Sequence, residues 1–521
     1  MNDVAALRFT RRHAQPIPAE RREELLATPG FGDTFSDHMV TVRWNGEVGW
    51  HDANIGPLAA FSLHPATMAL HYGQTIFEGL KAFWRPNGQR ALFRPTDHAR
   101  RFNSSARRMA MPTLPEADFV AALEALLRAD SSWVPRARGH SFYVRPLMIA
   151  AETHLSNRPA EEYLFAVIGT PARPASVEPK PMRLWAATEY IRAAPGGTGA
   201  VKCGGNYGGA HVAQRQAAAN DCDQVVWLDA RDRRYIEEAG GANLFFVEST
   251  TQGPRLRTPP LSGTLLAGVT RDSILRLAGS LGYPVAEGPI TLDEWEQGCR
   301  DGNITETFTC GTARAIVPVG HVVSAQREWP VADGTAGPVT SRLLNALLDI
   351  QHGQTPDEFG WMRLVDIGRR GLGEHRSPHM AKLLRELHAD GTLVLPNAWD
   401  AASAAVIADA GAAAIATTSA GVAWSLGQPD GELLPRADPV VAIERIAAAI
   451  DVPLTADVEA GYGAAEGEVA ETVTEVLGAG AVGINIEDAP AGGSGLYSPR
   501  RLPRASGPPG RRGSRAACRT S

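Results

Sequence analysis

The sequence predicts a mixed α+β chain that passes into part of a parallel α/β barrel and ends in a basic, disordered tail. Three observations carry that reading. Before about residue 366, period-two apolar runs bounded by Asn-Gly and Pro-Asn-Gly turns alternate with helical stretches. From 381 to 490, four apolar strand-like runs are separated by helices, the rhythm of a parallel barrel. After Asp488 no acidic residue occurs, and GSGLYSPRRLPRASGPPGRRGSRAACRTS holds seven arginines among prolines, glycines and serines with no periodicity. The expected boundaries are a small N-terminal domain at 1–178, a larger one at 179–366, a linker at 367–380, the barrel segment at 381–490 and the tail at 491–521.

Composition narrows the classes. The 521 residues are 44% apolar and 21% charged, as in ordinary globular chains. A net charge of −6 predicts no nucleic-acid partner. No apolar run reaches the roughly 18 residues of a membrane span, and MNDVAALRFTRRHAQPIP lacks the apolar core of a signal peptide. Five cysteines (203, 222, 299, 310 and 518) form an odd set without paired metal spacing, which suits a reducing cytoplasm.

The elements follow in order. DHMVTVRWNGEVGW predicts two strands about Asn45-Gly46, and FEGLKAF leads into a hairpin over Pro86-Asn87-Gly88. A helix is expected from Thr96, with Asp97 near its start and His98, Arg101 and Arg108 along it. SFYVRPLMIA and EYLFAVIGTP read as strands; Arg145 inside the first needs an anion, either a structural carboxylate or a ligand. PARPASVEPKP (171–181) reads as a proline-rich break. A strand over MRLWAATEYIR, a helix from about Gly209 to Asn220 and a hairpin carrying Glu238 before Gly240-Gly241 come next. By itself Glu238 could be a surface carboxylate beside Glu237. The helix beginning near Val269 and Thr270 offers free amides to an anion, and Gly311-Thr312 makes a short turn between strands. A helix over TSRLLNALLDIQHG closes this part.

VKCGGNYGG (201–209) is the stretch with the most chemistry. Among 51 basic residues only Lys81, Lys180, Lys202 and Lys382 are lysines, so arginine serves nearly everywhere that charge alone is needed. Arginine cannot form an imine, whereas a desolvated lysine can attack a carbonyl. Lys202 is therefore either a Schiff-base nucleophile or a solvated surface lysine.

Taken together, YGQTIFEGLKAF, LFRPTDHARRF, YVRP, KCGGNYGGA, EEAGGANLFF, SGTLLAGVTRDSIL and CGTARAIVPVG resemble, in order, the branched-chain amino acid aminotransferases of fold type IV. The resemblance covers about residues 5–366. It implies pyridoxal 5'-phosphate as cofactor, a homodimer, and transamination between leucine, isoleucine or valine and 2-oxoglutarate. It also implies roles: Lys202 for the Schiff base and proton shuttle, Glu238 for the pyridine nitrogen, and Tyr207 for the phenolic oxygen. Arg101, Val269, Thr270 and Thr312 would hold the phosphate, and Tyr72, Phe77, Tyr143, Arg145 and Ala313 would line the substrate pocket. D-amino acid aminotransferases and aminodeoxychorismate lyases share the lysine and glutamate but usually lack the FEGLKAF context and YVRP. Some relatives carry Cys-x-x-Cys after the Gly-Thr turn; here Ala313-Arg314-Ala315-Ile316-Val317 follows, so no thiol switch is expected.

In the second part, PNAWDAASA, TTSAGVAWSLGQPDG, TADVEAGYG and GINIED resemble the isocitrate lyase and phosphoenolpyruvate mutase superfamily. By that likeness Asp430, Asp457, Glu459 and Glu487 would surround magnesium. The lyase loop Lys-x-Cys-Gly-His is replaced by Ala-Pro-Ala-Gly-Gly, and only about half a barrel's length is present. The expectation is a half-barrel without catalysis of its own, with the reading frame lost after GLYSP.

Overall fold

The computed structural model describes residues 7–12, 16–173, 180–366, 376–389, 391–463 and 466–487, so the expected tail at 491–521 and most of the linker lie outside the described residues. The chain divides into two compact units, Met1–Ile367 and Gly368–Ser521.

The first unit holds two large sheets. In one, the strands run in the spatial order Thr10–Arg11, Gly49–Pro57, His38–Asn45, Glu162–Ala172, Ser141–Ala150, Leu80–Trp84, Arg90–Phe93 and Met362–Val365. Thr75–Phe77 also pairs with Ser141–Ala150. The helices Pro95–Arg108 and Glu116–Ala129 cover one face and bury Phe102 and Phe119 against Phe165. Removing one such ring would cost about 3–5 kcal/mol. Proline at the first position of Pro95–Arg108 fits because that amide has no helical partner.

The second sheet runs Ile236–Ala239, Gln224–Leu228, Met182–Ala187, Ala315–Val323, Ile304–Gly311, Asn243–Thr250, Gly253–Thr258 and Val285–Glu287, with Glu328–Pro330 beside Ala315–Val323. Its core stacks Phe245 on Phe308, with centroids 5.1 Å apart, beneath the helices Val269–Ser280 and Pro338–His352.

Two boundaries differ from expectation. Met362–Val365 falls within the expected second domain, yet it pairs antiparallel with Arg90–Phe93 in the first sheet. Trp361 explains the return: it is buried against Phe93, with centroids 5.8 Å apart, which draws the closing segment back. Pro171 and Ala172 also belong to a strand rather than to the proline-rich break.

The second unit is a four-stranded parallel sheet in sequential order: Asn397–Ala398, Ile415–Thr417, Leu454–Asp457 and Gly483–Asn485. The helices Ala401–Asp409, Ala437–Ala449 and Glu466–Gly478 bring Ile443, Ile446 and Val476 onto Ile415, Leu454 and Ala456. The run GTLVLPNAWD forms only a two-residue strand, because Pro396 cannot donate to a ladder. The helix Arg376–Ala389 already occupies the last residues of the expected linker.

Candidate active site

Lys202 is pinned on both sides. Its amide donates to Ser105 Oγ at 3.1 Å, and its carbonyl accepts the Phe77 amide at 3.0 Å. Asn206 clamps the loop by donating to the Thr198 and Val201 carbonyls, both at 2.7 Å. Gly204 packs closely on the strand Thr75–Phe77: a Cβ there would sit 2.7 Å from Thr75 Oγ1. Lys202 Nζ donates to the Tyr207 hydroxyl at 2.9 Å and lies 4.8 Å from the centre of the Phe77 ring. Although the residue as a whole is only half-buried, desolvation of its amine, with the Arg101 cation adding to it, lowers its pKa to about 8. Burial, reinforced by the Glu238 carboxylate, pushes Tyr207 up to about 12 and keeps its hydroxyl protonated.

Glu238 is not a surface carboxylate. It is 2% exposed, on Ile236–Ala239, and accepts the Leu266 amide at 3.3 Å through Oε2. Its Oε1 lies 2.8 Å from Arg192 Nε, yet no aligned donor completes a hydrogen bond to it. Burial raises its pKa to about 7 against the pull of Arg192. Arg192 is anchored by donating to the Gly199 and Thr264 carbonyls at 3.2 and 3.1 Å.

Arg101 approaches from the helix Pro95–Arg108. Its Nε and Nη2 donate to the two oxygens of Glu78 at 2.7 and 2.8 Å, and Nη1 donates to the Ala267 carbonyl at 3.1 Å. That carbonyl immediately precedes Gly268 and the start of Val269–Ser280, a helix with no side-chain cap, whose first-turn residues Val269 and Thr270 are buried. Arg94, held in the left-handed region at φ 50°, ties the two helix starts together. It bonds Asp97, the Val269 carbonyl and Ser273, and pairs with Asp272 at 2.7 Å. Thr312 is half-buried on the turn after Gly311, which faces Ala242 and the Gly241 carbonyl, and Gly241 in turn faces the Tyr207 ring.

Tyr143, Phe77 and Arg145 meet on the same side. Arg145 Nη2 donates to the Tyr143 hydroxyl at 3.1 Å, and its guanidinium lies 4.8 Å from the Phe77 ring centre. Of the two anions open to Arg145 in the sequence, the structural carboxylate is absent among the described residues, and its buried Nε has no partner. Tyr72 and Ala313 are not gathered with this group. Tyr72 is 40% exposed at the end of Met68–Tyr72 and donates its hydroxyl to the Leu155 carbonyl; Ala313 is exposed on its turn.

The family described as amino-transferase class IV is matched by residues 75–322. A probable branched-chain-amino-acid aminotransferase of Streptomyces coelicolor is 49% identical over 68% of this chain and 97% of its own length. The branched-chain-amino-acid aminotransferase of Mycolicibacterium smegmatis is 48% identical over 67% and 96%. This chain belongs to the branched-chain aminotransferases of class IV. Among solved structures, the Escherichia coli branched-chain amino acid aminotransferase is similar at 27% identity with a TM-score of 0.52, covering 63% of this chain and 99% of that one. The T.th. branched-chain amino acid aminotransferase complexed with N-(5'-phosphopyridoxyl)-L-glutamate is similar at 29% identity and TM-score 0.50, covering 62% and 97%.

Class IV aminotransferases use pyridoxal 5'-phosphate, and the donor set of this aminotransferase fits it. An enclosed primary amine stands beside a phenol. A buried carboxylate oxygen lacks a donor, and an uncapped helix start with an arginine suits a phosphate dianion.

Residues 384–502 match the family described as phosphoenolpyruvate phosphomutase, beyond the expected boundary at 490. Among the described residues no group of three or more His, Cys, Asp or Glu is arranged to hold a metal. Asp457 accepts from the Ser419 amide and hydroxyl at 3.1 and 2.9 Å, and Glu459 accepts from the Tyr462 hydroxyl at 2.7 Å. Burial, then the neighbouring Asp457, Glu459, Asp430 and Glu432, raises the pKa of Glu487.

Sequence reasoning did not single out Arg192, Glu78 or Arg94. Only Glu78 left a signal: a carboxylate inside the apolar run IFEGLKAF needs a buried partner.

Proposed function

We propose that the unit Met1–Ile367 transfers amino groups between leucine, isoleucine or valine and 2-oxoglutarate, giving branched-chain 2-oxo acids and L-glutamate. The observation that carries this reading is Lys202 Nζ, enclosed and 2.9 Å from Tyr207, in a chain 49% identical to a named relative. Pyridoxal phosphate, when bound, supplies the electron sink for the substrate's α-carbon.

The chain's own residues do the rest. Lys202 would be the attachment point, and its Nζ would take and return the α-proton; a pKa near 8 leaves that amine able to accept it. Glu238 would pair with the ring nitrogen, with Arg192 favouring its anionic form. Tyr207 would donate toward the phenolic oxygen. Arg101, Val269, Thr270 and Thr312 would hold the phosphate. Phe77 and Tyr143 take the aliphatic side chain, and the unpaired Nε of Arg145 takes a carboxylate. Assembly as a homodimer and a cytoplasmic location belong to the same proposal. No catalysis is assigned to Asp430, Asp457, Glu459 and Glu487.

A visible spectrum tests the reading. The purified protein is expected to carry a yellow band that bleaches with leucine and returns with 2-oxoglutarate. Lys202→Ala is expected to bind the cofactor and lose turnover; wild-type turnover in that variant overturns the assignment.

A further inference from the structure

We infer that Glu78 is a positioning residue, which aims the Arg101 guanidinium at the phosphate of the cofactor and holds it there. The inference rests on the assignment of Arg101 to the phosphate.

Glu78 is 0% exposed, an expensive place for a carboxylate unless every lone pair is used. Oε1 accepts Arg101 Nε at 2.7 Å; Oε2 accepts Arg101 Nη2 at 2.8 Å, His98 Nδ1 at 2.8 Å and the Gly79 amide at 3.1 Å. Its own amide donates to the Pro146 carbonyl at 2.8 Å, which fixes the main chain beneath it. Burial alone would raise the carboxyl, but the adjacent Arg101 charge and hydrogen bonds outweigh it, so Glu78 stays ionised. His98, 1% exposed, donates Nδ1–H and so fixes one face of the carboxylate.

The consequence lies in the geometry of the guanidinium. It has five N–H donors in a rigid fork. Glu78 takes one on Nε and one on Nη2, and the Ala267 carbonyl takes one on Nη1. One donor on each terminal nitrogen is left, on an arginine held beside the uncapped start of Val269–Ser280. A flexible arginine would lose rotamer freedom on each binding event; this one is already ordered. The pair also places an anion beside the cation, so the arginine acts through directed donors more than through excess charge.

The test compares pyridoxal phosphate with pyridoxal, which lacks the phosphate, as ligands of the apo-protein, read by absorbance titration. Glu78→Gln is expected to reduce affinity for pyridoxal phosphate about tenfold or more, with pyridoxal affinity nearly unchanged. Glu78→Asp keeps the buried charge but withdraws it by one methylene; it is expected to fold and to show a smaller loss of the same kind. Melting of the apo-proteins reports whether each variant is folded. If both variants keep the wild-type ratio of the two affinities while Arg101→Gln lowers it, the positioning role is overturned and the phosphate site stands. An unchanged ratio in Arg101→Gln as well overturns the phosphate assignment and the inference together.

Discussion

Gly79→Ala perturbs the substrate pocket without changing any group that does chemistry. A Cβ at Gly79 would lie 1.8 Å from the Tyr143 hydroxyl oxygen and 2.6 Å from Tyr143 Cζ. To regain ordinary contact near 3.4 Å, the hydroxyl must retreat by about 1.6 Å. Tyr143 is 5% exposed and packs edge-on against Phe31, with centroids 5.0 Å apart, so it has little free space to enter. The retreat breaks its 3.1 Å bond from Arg145 and turns that arginine out of line with the pocket. Overpacking of this kind costs about 1–3 kcal/mol of stability. A displacement on the ångström scale in a positioning group is worth on the order of 10²-fold in kcat/KM. The assay is the half-reaction with leucine followed by cofactor absorbance, beside chemical denaturation of the same sample. Cofactor content is expected to stay near wild type, because Lys202, Tyr207 and Glu238 are untouched. Wild-type kcat/KM together with wild-type stability would refute the placement of Tyr143 against Gly79.

Two further outcomes follow from the same geometry. Uptake of pyridoxal phosphate by the apo-protein needs the neutral amine of Lys202, and desolvation has lowered its pKa to about 8; the uptake rate is therefore expected to rise with pH and level off above about 8, measured by stopped-flow absorbance, whereas a rise continuing past pH 10 would show an ordinary exposed lysine. Deleting residues 368–521 is expected to leave kcat/KM within about twofold, because the unit Met1–Ile367 contains every residue assigned to the site; a truncated protein that aggregates or loses turnover would show that the second unit supports the first.

The legible parts share one property: their signals are local. The hairpin over Pro86–Gly88 and the helices Pro95–Arg108, Val269–Ser280 and Pro338–His352 follow from turn residues, period and caps within short windows. The four parallel strands of the second unit were legible for the same reason, although Pro396 shortened the first of them. Lys202 stood out by the scarcity of lysine, Arg145 by a charge inside a strand, and Glu238 only through resemblance.

The sequence by itself determined the family, the reaction class and the order of these elements, because each rests on residue types at short spacings. Tertiary structure alone decided which partners the charges took. Arg192 reaches Glu238 across 46 positions, and Arg101 reaches Glu78 across 23. Met362–Val365 returns to Arg90–Phe93 across the whole second sheet. No spacing rule encodes those pairings. They arise because a buried charge must find a counter-charge wherever the fold brings one, and a strand edge must find a ladder.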